Sequence, residues 1–151
     1  MSLQQQINDD LKTAMKARDR ERMSALRLLV AAVRNAAVAA GRSPRGVLSD
    51  DEIVKLVQSE TKRRREAADA FRTGDREQAA ANEDFEAEVY SAYLPAQLGD
   101  EELAGLVDQA IADTGATDRS GMGPVIRQVM GAVAGRADGS RVSAMVGQRL
   151  A

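Results

Sequence analysis

The densest run of positive charge in this sequence is Lys62-Arg63-Arg64-Arg65. Clustered ammonium and guanidinium groups are the side chains that bind nucleic-acid phosphates. Four consecutive helical residues cover most of the helix circumference, so the run cannot form one flat patch. Lys62 lies four residues before Glu66, and Arg65 lies four before Asp69, which is the spacing of ordinary surface ion pairs. A solvated helix is therefore the plainer interpretation, and the alternative is an RNA contact through Lys62, Arg63 and Arg64.

A second basic region precedes this run and consists of Lys12, Lys16, Arg18, Arg20 and Arg22. Asp19 and Glu21 interrupt it, so we rank it below the first run. The net charge of the whole chain is −2. Any phosphate-binding surface must therefore be a local patch, because the molecule has no overall positive field. The sequence predicts no DNA binding.

Groups able to catalyse a reaction are scarce, since the chain contains neither cysteine nor histidine. This composition excludes disulfides, thiol catalysis and histidine-based triads. Gly121-Met122-Gly123 precedes a helix but lacks the Lys-Ser/Thr ending of a nucleotide phosphate loop. No sequence feature places a carboxylate in an apolar pocket, and a solvated acidic face is predicted for Glu83, Asp84, Glu86 and Glu88. We predict no catalytic residue, no cofactor and no metal site.

The elements that position these charges are predicted to be helices throughout. Leu3, Ile7, Leu11 and Met15 recur at helical spacing, and a second apolar stripe runs from Met23 to Ala37. Ser49 and Glu52 form a capping box that begins a long helix ending at Gly74. A fourth helix is predicted to start at Asp75. Its predicted buried stripe consists of Phe85, Val89, Ala92 and Tyr93.

Pro95 marks the predicted boundary between two all-α domains, residues 1–95 and residues 96–151. The first is a long-helix domain and the second is a small three-helix domain. Gly115 and Gly135 are predicted helix ends, Pro124 suits a first helical turn, and Asp138 is a predicted N-cap. No run approaches the roughly 20 apolar residues of a membrane span, and no leader pattern precedes the first helix. We therefore expect a cytoplasmic protein without membrane association.

Three segments of the chain resemble the GatB/YqeY family, and specifically its short YqeY-like proteins. They are LQQQINDDLKTAMKARDRERMSALRLLVAAVRNA at 3–36, EDFEAEVYSAYLPAQL at 83–98 and MGPVIRQVMGAVAGRADGSRV at 122–142. The YLPAQL junction and the GRADG turn are the most specific pieces. The C-terminal half is similar to the tail domain of the B subunit of the aspartyl/glutamyl-tRNA amidotransferase. In that enzyme the tail helps to hold tRNA, and the chemical steps take place elsewhere.

The resemblance implies a non-catalytic module that associates with tRNA, an amidotransferase or an aminoacyl-tRNA synthetase. The family label, carbon–nitrogen ligase with glutamine as amido donor, would be inherited from the larger enzyme. Many relatives have lysine at the positions of Pro124 and Ala134, which weakens the phosphate-contact argument there. Candidate RNA contacts in this half are Arg127, Arg136 and Arg141. The alternatives are a helical scaffold for a protein partner and, less favoured, an independent amidotransferase.

Overall fold

The computed structural model describes residues 1–151 and contains seven α-helices and no strand, which confirms the all-α prediction. In chain order these are α1 (Leu3–Ala17), α2 (Arg20–Ala39), α3 (Asp50–Thr73), α4 (Glu77–Ser91), α5 (Asp100–Thr114), α6 (Met122–Val133) and α7 (Gly139–Arg149). A single 3-10 turn, Arg119–Gly121, precedes α6. The chain divides into two compact units, Met1–Leu94 and Pro95–Ala151. Each unit has its own apolar core. No helix combines the length and apolar character needed to cross a membrane.

In the first unit, α1 and α2 meet at a sharp break. Arg18 adopts a left-handed conformation with φ of 57°, and the Asp19 side chain then accepts a hydrogen bond from the Arg22 backbone N–H to cap α2. Ser49 begins α3 with the predicted capping box, in which Glu52 bonds back to the Ser49 backbone N–H. The fully buried side chains of this core include Ile7, Leu26, Leu29, Ile53, Val57 and Tyr90. Helix formation in this unit therefore follows the predicted apolar stripes, except in α1, where Met15 is exposed and Ala14 is buried.

The hairpin of α3 and α4 departs from the sequence prediction at two points. Asp75 was predicted to start the fourth helix, but it adopts a left-handed conformation with φ of 58° in the turn, and α4 begins at Glu77. Ala92 was predicted to be buried and is exposed, whereas Tyr90 is buried. Tyr90 is buried because α4 packs against both α2 and α3, which makes its buried surface broader than one stripe. Ala92 lies beyond the last helical residue, Ser91, as the C-cap of α4.

The second unit packs α5, α6 and α7 around a core of valines and leucines. Gly115 ends α5 with φ of 70°, as predicted. Ala134 ends α6 in the left-handed region with φ of 48°, and Gly135 continues it with φ of 83°. Asp138 caps α7, because its carboxylate accepts the Arg141 backbone N–H at 2.8 Å. The aspartate cap is thus the one expected from the sequence, whereas α6 ends at Ala134, one residue before the predicted Gly135.

Candidate nucleic-acid interface

The basic run on α3 is largely neutralised by neighbouring carboxylates. Lys62 lies 4.0 Å from Glu66, and Arg63 lies 3.2 Å from Glu60, all on the same helix. Arg64 instead crosses to α4, where its Nη1 lies 3.6 Å from carboxylate oxygens of Glu83 and Glu86. The three residues therefore project in different directions and are not brought together as one surface. Arg65, the fourth member of the run, is exposed and makes no ion pair.

The contact between Arg64 and α4 contradicts part of the predicted solvated acidic face. The side chains of Glu83 and Glu86 are only 21% and 20% exposed, and one oxygen of each is buried without a hydrogen bond. Burial and the charge of Glu83 raise the pKa of Glu86, against the opposing effect of Arg64. Burial also raises the pKa of Tyr90, which lies near these charges. This cluster ties α3 to α4, so Arg64 has a structural role.

The basic candidates of the second unit also have structural partners. Arg136 donates from Nε to the Ala96 carbonyl at 3.0 Å, and Arg141 donates from Nη1 to the Leu98 carbonyl at 2.7 Å. Arg141 also pairs with Asp100 at 2.7 Å. Both arginines therefore hold the segment 95–100 against the turn between α6 and α7. Replacing them would therefore disturb packing as well as any RNA contact.

Arg127, the remaining candidate, is exposed on α6 and has no ion pair or hydrogen bond through its side chain. The structure does not place Arg127 together with Arg136 or Arg141 through any shared contact. Among the six predicted residues, then, Arg127 is the one whose guanidinium is free to meet a ligand. An isolated exposed arginine contributes little phosphate affinity by itself, because such binding scales with the number of contacts.

A better-organised basic surface lies on α2, where Arg20, Arg27 and Arg34 recur every seven residues. This spacing places them on one helix face, at separations of about 10.5 Å along the helix axis. All three are exposed, and none lies within ion-pair distance of a carboxylate. We call these three residues the arginine stripe. The sequence prediction included Arg20 in the second, lower-ranked basic region and missed Arg27 and Arg34. Their seven-residue spacing is visible in the sequence and could have identified them.

Charge is distributed unevenly between the two helix pairs of the first unit. Residues 1–48 carry nine basic and four acidic side chains, whereas residues 49–94 carry seven basic and twelve acidic ones. Because these two imbalances cancel, residues 1–94 taken together carry equal numbers of basic and acidic side chains. The first aromatic residue of the chain is Phe71, so the basic helices α1 and α2 contain no ring on which a base could stack. Their surface is suited to phosphate groups and not to bases.

Two clefts border α4 in the first unit. The larger, of about 680 Å³, lies against α3 and contains the close ion pair of Arg72 with Asp84. The smaller, of about 330 Å³, lies between the start of α2 and the middle of α4, and Arg20 of the arginine stripe forms part of its wall. Phe85 lines both clefts. No group of side chains is arranged to hold a metal ion.

Comparison with known proteins matches almost the whole chain to one family. The family described as Yqey-like protein matches residues 4–150. A curated relative, altered inheritance of mitochondria protein 41, mitochondrial, from Pyrenophora tritici-repentis (strain Pt-1C-BFP), is 28% identical over 134 residues. That match covers 87% of this chain and 71% of the relative. On the extent of the family match, this chain belongs to the YqeY-like family.

Proposed function

We propose that this protein is a non-catalytic RNA-binding module that holds tRNA through arginine–phosphate contacts. It would act in the cytoplasm beside a tRNA amidotransferase or an aminoacyl-tRNA synthetase. The observation that carries the proposal is the arginine stripe, which is exposed, regularly spaced and unpaired. The similarity of the C-terminal half to the amidotransferase tail supports tRNA as the class of RNA. We assign no step of amide transfer to this chain.

Free arginines are better phosphate ligands than paired ones for a simple electrostatic reason. An arginine that already contacts a carboxylate must give up that contact, or bring the carboxylate near the RNA backbone, before it binds phosphate. Arg64 would have to leave Glu83 and Glu86, which are largely buried. Arg20, Arg27 and Arg34 have no such competitor. The structure therefore favours α2 over the run at 62–65 as the main phosphate-binding surface.

The direct test is the affinity for tRNA across a salt series, measured by fluorescence anisotropy. The first variant replaces Arg20, Arg27 and Arg34 with glutamine, which removes three positive charges and preserves helix propensity. The matched control replaces Lys62, Arg63 and Arg65 with glutamine, which removes the same charge from α3. We expect the stripe variant to bind more weakly, with the slope of log affinity against log salt reduced by about 2. The control should change both quantities much less.

Equal losses in the two variants would show that only total charge matters and would contradict a specific α2 surface. Absence of tRNA binding by the unmodified protein at low salt would overturn the RNA proposal.

That result would favour a second candidate function, the binding of a protein partner. Leu28 and Val38, 48% and 52% exposed, lie on the outer side of α2 beside the stripe. Exposed apolar groups among arginines are also typical of a surface that binds an acidic protein helix.

A further inference from the structure

We infer that the arginine stripe on α2 binds a double-helical RNA stem through the phosphates of one strand, without reading the base sequence. The inference rests on the proposed RNA-binding function, and it narrows the ligand from RNA in general to base-paired RNA. Arg20, Arg27 and Arg34 supply the charge complementarity, since all three are exposed and none is paired with a carboxylate. The geometry of α2 and the side chains beside the stripe favour the base-paired form.

The stripe is a nearly straight and rigid row. Its three residues span about 21 Å along the helix axis, and positions seven residues apart are rotated around an α-helix by only about 20°. Helix α2 has 20 residues and contains neither proline nor glycine, at which helices often kink. Its opposite face is anchored in the core by five buried side chains, which are Ala25, Leu26, Leu29, Val33 and Ala37. The backbone positions of the three arginines are therefore fixed before RNA binds.

A base-paired stem presents phosphates that are also fixed before binding. Pairing and stacking hold each strand of a stem in a regular helix, so its phosphates are evenly spaced along the strand. A single strand is flexible, and ordering it along a rigid row of arginines costs conformational entropy. Because the stem has already lost that freedom, the same arginine–phosphate contacts give it the higher affinity.

The side chains beside the stripe offer no platform for an unpaired base. Ser24, Ala31 and Val38 each follow an arginine of the stripe by four residues and are exposed next to it. They are small, and neither α1 nor α2 contains an aromatic ring. Proteins that bind single strands typically provide rings on which the bases stack. The bases of a stem already stack on one another, so a stem does not need such rings.

This surface is not expected to distinguish one stem sequence from another. The major groove of an RNA helix is too deep and narrow for side chains to read. Arginine–phosphate contacts position a protein on a helix but carry no sequence information. Asn35 is the only amide side chain on α2, so there is little else to contact base edges. Stems of different sequence should therefore bind with similar affinity.

The test compares three fluorescein-labelled RNAs of equal length, two hairpins with unrelated stem sequences and an oligouridine that forms no stem. A duplex concentrates charge and attracts any basic surface, so the decisive variant preserves charge. Arg27→Leu combined with Leu28→Arg exchanges two exposed neighbours and moves one guanidinium by about 100° around α2, out of the row. We expect this exchange variant to bind both hairpins about fivefold more weakly and to bind oligouridine as the unmodified protein does.

The matched control, Lys12→Thr combined with Thr13→Lys, makes the same kind of exchange between exposed neighbours on α1. It should leave all three affinities unchanged, and circular dichroism checks that both variants fold. An exchange variant that loses affinity equally for hairpins and oligouridine, or for neither, would overturn the inference. A control that loses as much hairpin affinity as the exchange variant would also overturn it.

Two further results with the unmodified protein would contradict the inference. They are hairpins that bind no more tightly than oligouridine, and two hairpins that differ clearly in affinity. In either case, weaker tRNA binding by the glutamine variant of the stripe would leave the proposed function in place. Failure of the unmodified protein to bind tRNA or any of the three RNAs would overturn both proposals.

Discussion

At the scale of single residues, the most unusual arrangement is the sharing of Arg64 between two carboxylates. Glu83 and Glu86 both lie 3.6 Å from its Nη1, and each retains a buried oxygen without a hydrogen bond. One guanidinium offsets one negative charge, so the second carboxylate is left uncompensated. A partly buried and uncompensated charge lowers folding stability. Burial of Glu86 beside the charged Glu83 raises the pKa of Glu86 for the same reason.

Glu86→Gln is therefore expected to stabilise the protein near neutral pH. The folded-state pKa of Glu86 is raised, so the folded chain holds this proton to higher pH than the unfolded chain does. The stability linked to the proton is present below the unfolded pKa and is lost as pH rises through the folded pKa. Glutamine does not titrate, so the stability advantage of the variant over the unmodified protein should grow as the pH rises from 4 to 7.

Urea unfolding at a series of pH values measures this difference directly. Glu88→Gln is the control, because Glu88 is exposed on the same helix and makes no ion pair. The difference in unfolding free energy between the Glu88→Gln variant and the unmodified protein should change little with pH. An advantage of Glu86→Gln that stays constant or shrinks as pH rises would show that Arg64 compensates both carboxylates.

At the scale of elements, the end of α6 contains an avoidable strain. Ala134 has φ of 48°, a left-handed conformation in which an L-residue places its Cβ too close to the carbonyl oxygen that follows. Glycine carries no Cβ and is the residue most often found in this conformation at helix C-termini. The neighbouring Gly135, with φ of 83°, already benefits from this freedom. The sequence thus places an alanine where the backbone favours glycine.

Ala134→Gly is expected to stabilise the second unit by about 0.5 to 1 kcal/mol, because relief of the left-handed strain exceeds the extra entropy lost on folding. Ala144→Gly, at an exposed position inside α7, should destabilise it by a similar amount. Thermal unfolding of the two variants gives shifts of opposite sign. If both variants unfold at lower temperature, Ala134 is not strained in solution.

Much of the helical architecture follows from local patterns, which is why the sequence predicts it well. The apolar spacing of α2, the capping box at Ser49 and the cap at Asp138 each depend on residues within one or two turns. Partners distant in sequence are harder to foresee. The pairing of Lys62 with Glu66 follows from i,i+4 spacing, whereas the contact of Arg64 with α4 requires closure of the α3–α4 hairpin. The roles of Arg136 and Arg141 likewise depend on a segment about 40 residues earlier.

At the scale of the whole molecule, the segment 95–100 belongs with the second unit. The Leu98 backbone N–H donates to the Arg136 carbonyl at 2.8 Å, and the Leu98 carbonyl accepts from Arg141. Gln97 donates to the Gly135 carbonyl at 3.2 Å. The Leu98 side chain is buried in the core of the same unit. The extended residues before α5 are therefore an integral part of this unit.

We expect the fragment 95–151 to fold cooperatively without the first unit, because its core residues and their hydrogen-bond partners all lie within the fragment. The fragment 101–151 retains the three helices except for Asp100, the first residue of α5, and it lacks Leu98 and the hydrogen-bond acceptors for both arginines. Its unfolding midpoint should therefore be clearly lower. Circular dichroism during thermal unfolding compares the two. Equal midpoints would mean that the segment contributes no stability, and a non-cooperative 95–151 transition would contradict the domain boundary.

The separation of charge within the first unit also affects how the protein meets a polyanion. Basic residues dominate up to position 48 and acidic residues dominate from 49 to 94. Because these segments form different helices, we expect the unit to have an electric dipole moment although its positive and negative charges balance. The field of an approaching polyanion would turn such a unit before contact, with α2 foremost and α3 and α4 trailing. A molecule that carries a net charge of −2 should then associate faster as ionic strength falls, the reverse of what its total charge alone would produce.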